Sequence, residues 1–159
     1  MAVLEGTPHP PAKRRVALVV SRYNEMVTGR LLAGAQRCLA EHGVPPRRID
    51  VIWAPGAFEL PVTAAAAAAS RRYAAIVALG CVIRGETPHF TYIAAEAARG
   101  LGQVALSHHI AVGFGVLTTE TLDQALARAG GAAGDKGYEA ADAALRVADV
   151  LARLRRAAR

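Results

Sequence analysis

Short apolar runs rich in β-branched residues alternate along this chain with stretches whose apolar positions recur every three or four residues. The run RRVALVVS, ending at Ser21, has the unbroken apolar character of a strand buried on both faces. A polar loop, SRYNEMVTG, follows it. Leu31, Leu32, Ala35 and Leu39 then recur at helical spacing, until Gly43 and Pro45-Pro46 close the helix. IDVIWA predicts a second strand, PGAFELP its loop, and residues 62–70 an alanine-rich second helix. AAIVALGCVI predicts a third strand, followed by a loop dense in polar groups and a helix over about 87–99. AVGFGVL is the fourth strand. Thr121 and Gln124 have the spacing of a capping box and predict a helix reaching about Ala129. GGAAGDKG interrupts that helix, and a last amphipathic helix is expected over about 138–155.

Four strands alternating with helices imply right-handed crossovers and helices on both faces of a sheet. The expected fold class is therefore α/β, a three-layer α/β/α sandwich around a four-stranded parallel sheet, flavodoxin-like in outline. Residues 1–13, which include several prolines, read as a flexible arm, and 14–159 as a single domain. Ligands of such sheets bind at the carboxyl ends of the strands. Three of the four strand-to-helix loops are polar or carry glycine, which points to one composite site there.

Composition narrows the function. With 53% apolar and 20% charged residues the chain is expected to fold. It lacks both a signal-peptide-like stretch and an apolar run of about 18 residues, so a cytoplasmic protein without a membrane partner is expected. Its net charge of +6 is scattered over Lys13-Arg14-Arg15, Arg47-Arg48, Arg71-Arg72 and Arg153, Arg155, Arg156 and Arg159. Aromatics are only 5%, so a nucleic-acid partner is not expected. Cys38 and Cys81 form no CxxC and have no evident histidine companion, which argues against a disulfide framework and a structural zinc. No dinucleotide fingerprint, P-loop or nucleophile elbow is present, and no cofactor or metal is called for.

The chemistry that remains is proton transfer and anion binding. Thr87-Pro88 has the form of a helix start, with threonine capping and proline at the first helical position. Gly85 lets a ligand approach the backbone, and free amides at a helix N-terminus suit a phosphate. His89 falls in the first helical turn, where the dipole disfavours an imidazolium, so a neutral-leaning histidine would stand beside an anion seat. A lone histidine is more often structural; its company in one loop raises His89 above that. Gly56 permits a tight turn in which Glu59 can accept hydrogen bonds from a polyol or, alternatively, complement a helix dipole. Tyr23 offers a flat face to a planar ring or, as readily, fills a core. Arg128 and Lys136 flank the glycine-rich break, where each can bind phosphate or complement a helix end. His108-His109 lacks a further ligand and reads as surface.

Taken in order, RYN, PGAFELP, ALGCVIRGETPHFTYIAAEAARG, FGVLTTETLDQALARAGG and GDKGYEAADAAL resemble the lumazine synthase family, over about 16–151. The resemblance implies condensation of 5-amino-6-(D-ribitylamino)uracil with 3,4-dihydroxy-2-butanone 4-phosphate, without a cofactor. It implies that Tyr23 stacks on the pyrimidine, that Ala57, Phe58 and Glu59 hold the ribityl chain, and that Cys81, Val82 and Ile83 present backbone groups to the heterocycle. Gly85, Glu86 and Thr87 would seat the phosphate, and His89 would move protons. Phe114, Arg128 and Lys136 would come from an adjacent chain, with Arg128 clamping the phosphate.

The family also implies a homopentamer, a sixty-subunit shell in some members, riboflavin synthase as an associated protein, and a neighbour's N-terminal strand as a candidate extension of the sheet. RAGGAAGDKG lacks the extra residues carried there by pentamer-only members, which favours the shell. Tyr23 stands where phenylalanine or tryptophan is usual and Cys81 where threonine is frequent. Ala132 and Asp135 replace a lysine and an asparagine, weakening the positive charge beside Lys136. Two rival readings are a family member that binds flavin or lumazine without turnover, and a flavodoxin-like FMN carrier, which would purify yellow.

Overall fold

The structure, a computed structural model, describes residues 1–158; Arg159, the last of the C-terminal basic residues, lies outside them. Strand β1 (Arg15–Ser21) leads into helix α1 (Glu25–Glu41), β2 (Ile49–Ala54), α2 (Leu60–Ala69), β3 (Tyr73–Ile83), α3 (His89–His108), β4 (Ala111–Thr119) and α4 (Leu122–Arg128). A two-stranded hairpin, β5 (Ala129–Gly131) with β6 (Gly134–Asp135), replaces the expected break, and α5 (Lys136–Ala157) closes the chain. The four long strands form one parallel sheet in the order β2-β1-β3-β4. The expected α/β class and sheet are thus present.

Strand periodicity divides the core. Val16, Leu18, Val20, Val77 and Leu79 point to one face and pack with α1 and α5 residues such as Leu31, Leu39, Ala141 and Leu145. Ala17, Val19, Ile76 and Ala78 point to the other and meet α2 and α3 through Leu60, Ala64, Ala97 and Leu101. The alanine patch of α2 therefore serves packing: Ala64, Ala67 and Ala68 are buried. α1 and α5 touch closely, since a Cβ on Gly137 would fall on the Leu31 carbonyl.

Several boundaries differ from expectation for identifiable reasons. α3 does not stop near Arg99 but runs to His108. Gly100 is retained inside it because α2 lies so close that a Cβ there would come within 2.6 Å of the Pro61 ring. Pro88, not Thr87, occupies the cap position of α3, and no side chain caps that end. The capping-box helix is present: Thr121 Oγ1 accepts from the Gln124 amide at 3.2 Å, and Gln124 Oε1 accepts from the Glu120 amide at 2.9 Å. Asp135 is the cap of α5, accepting from the Tyr138 amide at 3.1 Å and pairing with Arg37 at 3.1 Å. His109, exposed and left-handed, terminates α3.

The N-terminal stretch expected as an arm has neither strand nor helix, and lies along α5. Its Thr7 amide donates to the buried Asp149 carboxylate at 3.1 Å, and the backbone passes close enough to α5 that Gly6 has no room for a Cβ beside Arg146. Both cysteines are buried and free. The expectation that no histidine accompanies them fails at Cys38. His42 follows it by one helical turn, with Nδ1 3.6 Å from the Cys38 sulfur.

At the amino end of the sheet Arg15 Nε donates to Asp50 Oδ2 at 2.6 Å, a second guanidinium nitrogen bonds Oδ1, and the Tyr73 hydroxyl donates to Oδ2 at 2.9 Å. Arg15 holds the Asp50 carboxyl below its ordinary value against the opposing effect of burial, and Tyr73 assists. A depressed folded-state value means that this stabilisation is complete above the unfolded-state value, near 3.8, and fades as pH falls through the folded one. Asp50→Asn is therefore expected to lose about 1 kcal/mol at neutral pH, the lower range for a partly exposed charge-assisted pair. Urea unfolding across pH should show a constant gap between the two proteins down to about pH 5, closing in stronger acid. A gap that widens in acid would contradict the assignment.

Candidate active site

Sequence order and sheet order part company at β1. From β1 the chain moves outward to β2, then returns to place β3 on the other side of β1 and β4 beyond it. The loops after β1 and β3 consequently diverge, leaving a crevice at the carboxyl ends of the strands, the place where open α/β sheets bind ligands. A cavity of about 800 Å³ occupies it, within the usual range for small-molecule sites.

The loop after β1 supplies Tyr23. Its amide donates to the Pro55 carbonyl at 3.0 Å, and the Arg22 amide donates to the Ala54 carbonyl at 2.8 Å, so the loops after β1 and β2 are laced together. The buried Ser21 hydroxyl donates to the Tyr23 carbonyl at 3.0 Å. Tyr23 is 71% exposed at the rim, which removes the reading of it as a core aromatic. Asn24 adopts the left-handed conformation at φ 60°, and its Nδ2 donates across the cavity floor to the Cys81 carbonyl at 2.8 Å. That side chain, missed in the sequence, ties the β1 loop to the end of β3. The signal was present, because asparagine tolerates left-handed backbone at a strand-to-helix turn.

The loop after β2 forms a single 3₁₀ turn at Ala57–Glu59 before α2. Gly56 has an extended backbone, φ −146°, so the tight-turn explanation for it is corrected. Its lack of a side chain makes room for Glu59 instead, because a Cβ at Gly56 would lie 3.1 Å from Glu59 Oε2. The Glu59 carboxylate faces the cavity, and no cation is paired with it among the described residues. Phe58 stands half-exposed beside it.

After β3, Arg84 is consumed by structure. Its amide donates to the Thr119 carbonyl at 2.9 Å, Nε pairs with Glu120 at 2.6 Å, and its guanidinium lies 4.6 Å from the Phe90 ring centre. This clamp fixes the following residues, Gly85 to Phe90, at the cavity mouth. Gly85 has open space where a Cβ would be, and no acceptor among the described residues takes the amides of Gly85, Glu86 and Thr87. The twenty-residue α3 begins at His89, whose exposed imidazole lines the cavity beside those amides and Ile93. Free amides at the positive end of a long helix, next to a histidine, are groups suited to receiving an anion and exchanging a proton.

Cys81, Val82 and Ile83 line the floor. Burial pushes the Cys81 thiol up to about 11, so it is neutral at physiological pH and unsuited to act as a nucleophile. Glu86 lies in the loop but outside the lining. Phe114, Arg128 and Lys136 are not brought to this cavity by their own chain. Phe114 lies half-exposed on edge strand β4 beside a smaller hollow of about 230 Å³. Arg128 is half-buried, its guanidinium donating to the Gln124 carbonyl at 2.9 Å, and Lys136 pairs with Glu139 at 2.6 Å.

The fold and the site together define a parallel α/β protein whose strand-end crevice gathers Tyr23, Glu59, His89 and loop backbone on one cavity. The model of the 6,7-dimethyl-8-ribityllumazine synthase family matches residues 13–152. A protein of Thermosynechococcus vestitus named 6,7-dimethyl-8-ribityllumazine synthase is 46% identical over 155 residues, 95% of this chain and 86% of that protein. The chain belongs to the 6,7-dimethyl-8-ribityllumazine synthase family. No helix among the described residues is long and apolar enough to cross a membrane.

Proposed function

We propose that this chain is a transferase that condenses 5-amino-6-(D-ribitylamino)uracil with 3,4-dihydroxy-2-butanone 4-phosphate to 6,7-dimethyl-8-ribityllumazine. The reaction releases phosphate and water and is the penultimate step of riboflavin biosynthesis. The observation that carries the proposal is the convergence of Tyr23, Glu59, Gly85, Thr87 and His89 on one cavity in a chain of this family.

The exposed ring of Tyr23 stacks on the pyrimidine, while Glu59, without a cationic partner among the described residues, accepts hydrogen bonds from the ribityl hydroxyls. The Gly85–Thr87 amides hold the phosphate. The 5-amino group attacks the ketone, and imine formation transfers a proton to the carbinol oxygen, which leaves as water. Elimination then removes a proton from carbon as phosphate departs, and ring closure by the ribitylamino nitrogen expels a second water. His89 stands beside the phosphate seat as the group that accepts and returns these protons. Holding two substrates in register supplies much of the acceleration, since aligned reactants reach effective molarities of about 10⁵ M or more.

Arg128 completes the phosphate seat from an adjacent chain, where Phe114 and Lys136 also approach the pocket. Their placement outside their own chain's cavity and the exposed aromatic on edge strand β4 support a shared site in a homopentamer. The compact β5-β6 hairpin supports further assembly of pentamers into a shell, and riboflavin synthase is the expected associated enzyme.

Mixing purified protein with the two substrates and following lumazine absorbance against the uncatalysed background tests the assignment. Acceleration that depends on the phosphate of the butanone is expected. Folded, assembled protein that gives no acceleration would reduce the pocket to a binding site.

A further inference from the structure

On the face of the sheet covered by α1 and α5, near the C-terminal end of α1, three potential metal ligands from two helices converge. Cys38, on α1, and His42, the residue that caps its C-terminal end, are one turn apart, and Asp142 faces them from α5. One donor atom from each lies within 4.8 Å of the others. The catalytic cavity instead gathers residues from the carboxyl ends of the strands and the start of α3, and includes none of the three.

Each of the two polar ligands is already oriented by a second group. His42 Nδ1 is 2.8 Å from the Cys38 carbonyl; a proton on that nitrogen donates to it and leaves Nε2, 4.0 Å from Asp142 Oδ1, with a free lone pair. Asp142 Oδ2 receives Arg146 Nε at 2.7 Å, which leaves Oδ1 available. A backbone carbonyl behind the imidazole and a cation behind the carboxylate are arrangements that aim metal ligands. The Cys38 sulfur is wholly buried, whereas His42 and Asp142 are about a quarter exposed, which leaves an entry path and an open coordination position.

We infer that Cys38, His42 and Asp142 form a binding site for a borderline divalent cation of the zinc class, joining α1 to α5. Thiolate, imidazole and a single carboxylate oxygen suit zinc and cobalt(II), and disfavour magnesium and calcium, which require oxygen ligands. A tetrahedral zinc separates its ligand atoms by about 3.3–3.6 Å. Small rotations of the two partly exposed side chains would close the set around the fixed sulfur. As the metal–sulfur bond forms, the thiol proton passes to solvent. Thiolate and carboxylate then balance the divalent charge, and water fills the fourth position. The cation would act as a staple, binding the folded state and not the unfolded one.

The test is a titration of cobalt(II), then zinc(II), into the full-length, reduced and chelator-stripped protein. Expected are one cobalt per chain, a near-ultraviolet thiolate-to-cobalt charge-transfer band, visible bands of tetrahedral cobalt, and displacement of all of these by zinc. Zinc should raise the unfolding midpoint of the native protein and leave those of Cys38→Ser and His42→Gln unmoved, while lumazine formation by both variants stays at the native level. His42 is at the surface end of α1, so His42→Gln keeps the test valid if Cys38→Ser folds poorly. Cobalt bound without the sulfur band, bands that persist in His42→Gln, or no uptake at one equivalent would overturn the site.

Discussion

His89→Ala is expected to lower kcat by about 10²-fold, the lower range for removal of a positioned general acid–base group, while the KM values of both substrates change little. The lower range follows from how the pocket works. In the proposed mechanism, substrate alignment by Tyr23, Glu59 and the loop amides survives the substitution, and water can relay protons at an exposed helix start. The imidazole makes no hydrogen bond to its own chain among the described residues, so removing it disturbs no structural contact. Steady-state kinetics with each substrate varied in turn, beside the unfolding midpoint of the variant, separates the two effects. An unchanged kcat would remove His89 from the proton-transfer role.

Arg128→Ala is expected to raise the KM for the butanone phosphate tenfold or more, about the effect of losing a charge-assisted hydrogen bond of roughly 1.5–3 kcal/mol, and to leave the KM for the pyrimidine substrate nearly unchanged. The split between the substrates is the informative part, because a general loss of structure would move both. Arg128→Lys should recover only part of the loss, since an ammonium cannot present the planar fork of a guanidinium to phosphate. Among the described residues of its own chain the guanidinium bonds only the Gln124 carbonyl one turn earlier, an exposed contact of little structural value. If Arg128 serves a neighbour's pocket, co-assembly of the impaired His89→Ala and Arg128→Ala chains creates some sockets with both groups intact. Activity of the mixture above that of either variant alone is therefore expected, and its absence would place both groups in one chain's site.

The two predictions divide the chemistry along lines that the fold makes intelligible. His89 is held at the pocket by the start of α3 and by the Arg84 clamp to Glu120 and Phe90, both within one chain. Arg128 ends the short helix α4 beside the β5-β6 hairpin, away from the pocket of the same chain. A site shared in this way would couple catalysis to assembly, because a dissociated subunit would retain the proton-transfer group but lose the phosphate clamp.

The sequence by itself determined the alternation of strands and helices, the two-faced core and the identity of the loops that meet at the site. These follow from short-range rules: residues two apart on a strand share a face, apolar positions three and four apart line a helix, and the Thr121 and Gln124 side chains reach only their own turn. The family motifs made Tyr23, Glu59 and His89 legible as candidates for the same reason, since each lies in a loop whose chemistry is local.

Only the tertiary structure decided what depended on partners distant in the chain. Asn24 sends its amide to Cys81 instead of capping its own helix, and α3 continues through Gly100 because α2 presses against it. Asp142 reaches His42 and Cys38 across two packed helices. In each case a contact between segments outweighs a local preference of about 1 kcal/mol or less, and such contacts exist only once the sheet has ordered the segments that make them.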